Sequence, residues 1–95
     1  MEVLLVSYDL RRDQSSEHYE RVASSIRACG TAVEVQRSVW LVHSDDGPRE
    51  VMEAVAEELD AGDRLLVGAI NKAAAHNPLE PVDRLLRATL GRTEP

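Results

Sequence analysis

Phenylalanine is absent from this 95-residue chain, and its aromatic residues amount to one Trp and two Tyr. So few rings favour packing roles over a platform on which successive bases stack. Cysteine is nearly absent too: the single Cys29 has no partner within the chain, which excludes an intrachain disulfide and a cysteine zinc cluster and fits a reducing compartment. No apolar run approaches the roughly 18 residues that span a bilayer, and the N-terminus lacks the basic segment and small-residue cleavage site of a signal peptide. A cytoplasmic protein with no membrane partner is expected. Positive charge is scarce, 11 Lys plus Arg against 17 Asp plus Glu for a net −6, so non-specific attachment to duplex DNA is unfavourable. A phosphate-cradling glycine loop, a serine-histidine-acid order and a dinucleotide fingerprint are all missing.

What is present is one domain, residues 1–95, able to bury roughly two-thirds of its unfolded surface. Its acidity sits in one place. Residues 44–63 hold Arg49 against eight acids, a local −7 that exceeds the whole net charge. Elsewhere Arg11, Arg12, Arg21, Arg27 and Arg37 leave room for a local basic patch.

Hydrophobic periodicity orders the chain. Glu2 to Tyr8 is β-branched and apolar on both alternating faces, as in a central strand covered from both sides. After a polar loop from Asp9 to Ser16, the recurrence of Tyr19, Val22, Ala23, Ile26 and Cys29 predicts an amphipathic helix, capped by Ser15 or Ser16 and stopped by Gly30. Ala32–Gln36 and Ser38–His43 read as a hairpin, with no room for a helix between them. Asp45-Asp46-Gly47-Pro48 starts a second helix whose buried stripe is Val51, Val55 and Leu59, with either Asp placed to accept backbone N–H bonds at its positive end. Asp60 to Asp63 makes a tight turn into the strand Arg64–Ile70, again apolar on both faces. A third helix follows over 77–91, with Asn77 as cap, Pro78 first inside, Glu80 at the capping-box position and Gly91 as its stop. Residues 93–95 are expected to fray.

Strand, helix, strand, strand, helix, strand is the split βαβ plan, an α+β ferredoxin-like fold over residues 1–70 with a four-stranded antiparallel sheet and an appended C-terminal helix. Two helices cover only one face of such a sheet, while two of its strands are apolar on both. Leaving those side chains wet forgoes roughly 1.5 to 3 kcal/mol each. Either a second copy, making a homodimer, or the tail helix covers the other face.

Several segments, in this order and spacing, resemble a known family: Val6-Ser-Tyr8-Asp9-Leu10, the helix containing Tyr19 and ending at Gly30, Gln36-Arg37-Ser38-Val39-Trp40-Leu41-Val42, and Asp60-Ala-Gly-Asp63-Arg-Leu-Leu-Val67. Over residues 1–70 the chain is similar to the small, non-integrase adaptation subunit of CRISPR systems and its relatives, the virulence-associated protein D toxins and standalone homologues. The resemblance implies a ferredoxin-like homodimer, in some members a Mg2+-dependent endonuclease, with Asp9 at the metal-ligand position and Ser38, Val39 and Trp40 on the family's serine-valine-aromatic segment. Three departures stand out, one of them an acidic balance unlike that wanted for duplex-DNA scaffolding, which favours a standalone role over spacer integration. Trp40 replaces the usual Phe or Tyr, and Pro78 to Leu90 reads as helix where the family continues with a strand that crosses to its partner.

Each site candidate also has a plainer role. Asp9 is a ligand for Mg2+ or Mn2+, completed by its twin across a two-fold axis, or a cap on the loop after the strand. Arg11 and Arg12 hold phosphate, or are solvated cations balancing Asp9 and Asp13. Ser38 serves the phosphate or the metal's outer shell, or bonds the local backbone. Tyr8 and Trp40 stack on bases of RNA or single-stranded DNA, or pack in the core. His18, His43 and His76 share no zinc spacing and are expected at the surface or strand edges, His43 being the one candidate acid or base. The Asp45-Asp46 pair, and Asp60 with Asp63, ligate a cation or, more simply, serve helix capping and turn chemistry. Two functions from different classes survive: a metal-dependent phosphodiesterase acting on RNA or single-stranded nucleic acid, and a non-catalytic dimeric binding module.

Overall fold

The computed structural model describes residues 1–11 and 15–91. Seven elements follow one another: β1 (Glu2–Asp9), α1 (Ser16–Arg27), β2 (Thr31–Gln36), β3 (Val39–Ser44), α2 (Pro48–Ala56), β4 (Arg64–Ile70) and α3 (Glu80–Thr89). The strands form one antiparallel sheet in the order β2-β3-β1-β4, the ferredoxin-like arrangement with an added helix. No helix among the described residues is long and apolar enough to cross a membrane.

Alternation along β1 sends Leu4, Val6 and Tyr8 to one face and Val3, Leu5 and Ser7 to the other. The first set packs with Val22, Ala23 and Ile26 of α1, Val51 and Val55 of α2, and Trp40 and Val42 of β3. The second face has its own core, in which Val3 and Leu41 meet Val82, Leu85 and Leu86 of α3, with Leu5, Val33, Val35, Ile70 and Leu90 against them. Of the two covers open to that face, the tail helix takes the half toward β2. Toward β4, Ile70 still packs on this core, but the strip at Leu66 and Gly68 is bare among the described residues, with Leu66 63% exposed and open space around Gly68.

Local expectations hold in type and shift in detail. Ser15 caps α1, its hydroxyl accepting from His18 N at 3.2 Å. Gly30 is not the helix stop: Ala28 is the C-cap, and Gly30 is needed because a Cβ there would come within 2.3 Å of the His43 carbonyl oxygen. The start of α2 uses neither Asp45 nor Asp46. Gly47 is the cap residue, and Glu50 reaches back to accept from its N–H at 3.1 Å. Ser38 does not begin a strand but sits in the hairpin turn at φ 64°. The third helix starts later than Asn77 and Pro78 suggest. Asn77 takes a left-handed φ of 53°, and the Leu79 carbonyl receives the first helical bonds from Val82 and Asp83, so Pro81 rather than Pro78 occupies the first turn. Residues 93–95 lie outside the described residues.

If α3 carries the second core, Leu86→Ala, at a side chain 3% exposed, removes about 2 to 5 kcal/mol of stability in a urea titration with unchanged slope. A loss below about 1 kcal/mol would mean that the helix is not packed there.

Candidate functional site

β1 ends where the β2–β3 turn and the start of β4 also lie, so one end of the sheet gathers Asp9, Ser38 and Arg64. Asp9 is exposed, points to the same face as Ser7 and Leu5, and stands in register with Arg64. A recess of about 200 Å³ opens beside it, lined by Ser7, Tyr8, Asp9, Arg64, Leu65 and Leu66. Ser38 is close by in the chain's pairing. Its carbonyl accepts from Tyr8 N at 3.1 Å, which puts the turn one residue from Asp9 and gives Ser38 a backbone role. Arg11 follows on the exposed surface, and its stem lies on Gly62, where a Cβ would come within 2.9 Å of its Cδ. Arg12 lies outside the described residues.

The two aromatic candidates occupy the core. Tyr8 and Trp40 are 8% and 5% exposed, and the indole N–H donates to the Tyr8 hydroxyl at 3.2 Å. Burial pushes the Tyr8 phenol up, partly offset by the Trp40 N–H. Arg27 lies over the indole, 5.3 Å from the ring centroid. Packing is the role this placement gives them, and the ring faces a base would need are covered by α1 and the sheet.

A second cluster forms behind the site. His18, expected at the surface or a strand edge, is 1% exposed, because it stands four residues before Val22 and eight before Ile26, on the buried stripe of α1. Its Nε2 lies 3.0 Å from Asp63 Oδ2, with no exposed surface on the Asp63 side chain. Asp63 also accepts from Asp60 N at 2.8 Å and from Arg11 N at 2.9 Å. Burial works against its ionisation, but the Asp60 and Arg11 amides and the His18 ring outweigh it and hold the carboxyl at about 2. One carboxylate thereby ties α1, the loop leaving β1 and the entry to β4 together. His43, half-buried, pairs with Val3 at the opposite end of the sheet from Asp9, and His76 is exposed.

His18, Asp60 and Asp63 are also the one group of three among the described residues whose ligating atoms lie close enough for a metal, within 4.8 Å. The chemistry of the donors does not fit one. Arg21 donates to His18 Nδ1 at 3.2 Å, which requires a lone pair there and leaves the ring proton on Nε2, the atom that would have to ligate. That proton goes to Asp63. The cluster is a strut, and the turn reading of Asp60 and Asp63 accounts for its backbone half.

Placed together, then, are Asp9, Arg64, Ser38 and the Arg11 backbone, while Tyr8 and Trp40 turn inward. Sequence reasoning overlooked Arg64, whose only signal was its register across from Asp9, and His18, whose helical spacing was legible. No family model matches the chain, and a search of curated proteins finds no match.

Asp63→Ala leaves the Asp60 and Arg11 amides and the His18 N–H without their acceptor, a loss of about 1 to 3 kcal/mol. Because the folded carboxyl titrates near 2, below its ordinary 3.8, its contribution is complete above pH 3.8 and is lost as pH falls from there towards 2. Stability measured against pH should therefore drop through that window in the wild type and be flatter in Asp63→Asn. Parallel curves would remove Asp63 from this role.

Proposed function

We propose that the chain acts as a homodimer that cleaves phosphodiester bonds of RNA or single-stranded nucleic acid with Mg2+ or Mn2+, through Asp9. The observation that carries this reading is an exposed carboxylate at the end of a strand buried on both faces, on the strip of the sheet that α3 leaves bare. Among the described residues one chain offers one carboxylate there, too few for a cation that takes near-octahedral oxygen ligation, so this reading has two copies bring Asp9 to Asp9 across a two-fold axis. A cation held by the two Asp9 carboxylates would supply a bound water of lowered pKa and would offset phosphoryl charge. The chain's own part is binding and orientation. Arg64, across the strand pair from Asp9, offers a planar two-pronged donor to a phosphate, and Arg11 stands next along the chain with its backbone fixed by Asp63. The Ser38 hydroxyl is turned to the Tyr8 phenol, so Ser38 brings to this reading only its place at the same end of the sheet.

A second reading, a non-catalytic dimeric binding module, is favoured by the burial of Tyr8 and Trp40, which takes both rings away from any base at the Asp9 end. Labelled single-stranded RNA and DNA, incubated with Mg2+ or Mn2+, separate the two. Asp9→Asn should lower cleavage by more than about 100-fold, since even outer-shell changes at metal sites cost up to that much, while leaving the fold intact by circular dichroism. A monomer in sedimentation, or cleavage that survives Asp9→Asn, ends the catalytic reading. A dimer that neither cleaves nor binds metal is the module.

A further inference from the structure

The two edges of the sheet are built differently. At the β2 edge the pairing with β3 shifts between Glu34 and Gln36, Glu34 is exposed, and α3 lies against the strand. A bulge, a charge and a covering helix are the usual devices by which an edge avoids pairing with another chain. Among the described residues the β4 edge has neither bulge nor covering helix, and its one charge is Arg64 at its first position. From Leu65 to Ile70 the strand carries no charge, no proline and no register shift, in a chain that is 29% charged. Leu66 on it is among the few large apolar side chains left exposed.

The register decides which backbone groups are free. Tyr8 N bonds the Ser38 carbonyl, so the even-numbered residues of β1 bond toward β3 and its odd-numbered residues toward β4. Across from those odd positions, Arg64, Leu66, Gly68 and Ile70 bond back to β1. Leu65, Val67 and Ala69 therefore turn their N–H and C=O outward, and no backbone hydrogen bond reaches them among the described residues.

We propose that this edge pairs with the β4 edge of a second copy, antiparallel, with Val67 on the two-fold axis. That register is self-complementary. Val67 meets Val67 and Leu65 meets Ala69 of the second copy, so all the outward residues fall into pairs that exchange both backbone bonds. On the bare face Leu66 comes beside Gly68 of the second copy, where there is no Cβ and open space to receive it. Arg64 comes opposite Ile70, so no like charges meet within the ladder. α2 packs against β4 and exposes Glu50, Glu53 and Glu57, so acidic helices approach near the axis and added salt tightens the contact. This surface adjoins the Asp9 end, since Leu65 and Leu66 also line the recess there, but it does not bring the two Asp9 residues together. Asp9 stands beside Arg64, so in an edge pair the two Asp9 residues fall on opposite sides of the axis, offset by roughly 20 Å along the strands. The pair neither supplies nor requires the two-carboxylate site.

Hydrogen exchange on the wild-type chain in about 0.5 M NaCl, where the screening length is only a few ångströms, tests this without a mutation. The Leu65, Val67 and Ala69 amides should exchange on the order of 100-fold more slowly than unbonded amides, more so at higher protein concentration. Leu66→Cys with Gly68→Cys, in a Cys29→Ser background, should oxidise to a covalent dimer linked between positions 66 and 68. Such directly opposed residues lie about 4.5 Å apart, within disulfide range, whereas Leu79→Cys, at a similarly exposed site, should not cross-link. Val67→Pro removes an outward N–H that edge strands can spare and should abolish the protection and the edge contact. Fast exchange at the three amides with no 66-to-68 link overturns the proposal, even if a dimer forms by another surface. Protection and the link without nuclease activity uphold it while the catalytic reading fails.

Discussion

β1 is apolar on both sides, and much of the rest of the molecule answers that one constraint. A strand with Leu4 and Val6 facing one way and Val3 and Leu5 the other is stable only between two layers. α1 and α2 supply the first layer, as in any two-helix sheet of this topology. α3 supplies part of the second. Because one ten-residue helix is narrower than four strands, its core reaches β4 only at Ile70, and the bare strip that includes Leu66, Gly68 and Asp9 follows from that mismatch in width. The surface available for function is thus the part of the sheet that the chain does not bury for itself.

The geometry beside that strip depends on a buried carboxylate. Asp63 comes just before β4, yet it accepts from Arg11, 52 positions away, and from His18, 45 away. A charge without exposed surface is tolerated only when it is fully bonded, and here two amides and a ring nitrogen meet that need. The same bonds fix where the chain goes after Asp9. Arg21 completes the arrangement by occupying the far nitrogen of His18, so the ring works as a directed link rather than as a ligand.

Much of this architecture was legible in the residues. The apolar stripe of α1, the hairpin around Arg37, the turn at Gly62 and the doubly apolar strands each lie within a few residues of one another, and their order specifies the ferredoxin-like plan. Legibility failed where two local signals competed. Asn77-Pro78 is a good helix start in isolation, but Asn77 adopts a left-handed turn instead and the helix begins after Leu79. Asp45 and Asp46 look like caps, yet Glu50 reaches back from inside the first turn. For the candidate site, the exposed position of Asp9 at a strand end could be read in advance, whereas Arg64 became visible only through strand register.

Periodicity and punctuation, then, determined the elements, their order and their buried faces, because these signals are carried by neighbours a turn or a pleat apart. Which helix covers the second face, why His18 turns inward to meet Asp63, and which strand edge is left unguarded were decided by docking. Those outcomes depend on the relative width, register and spacing of elements far apart in the chain, and no local window of residues contains that information.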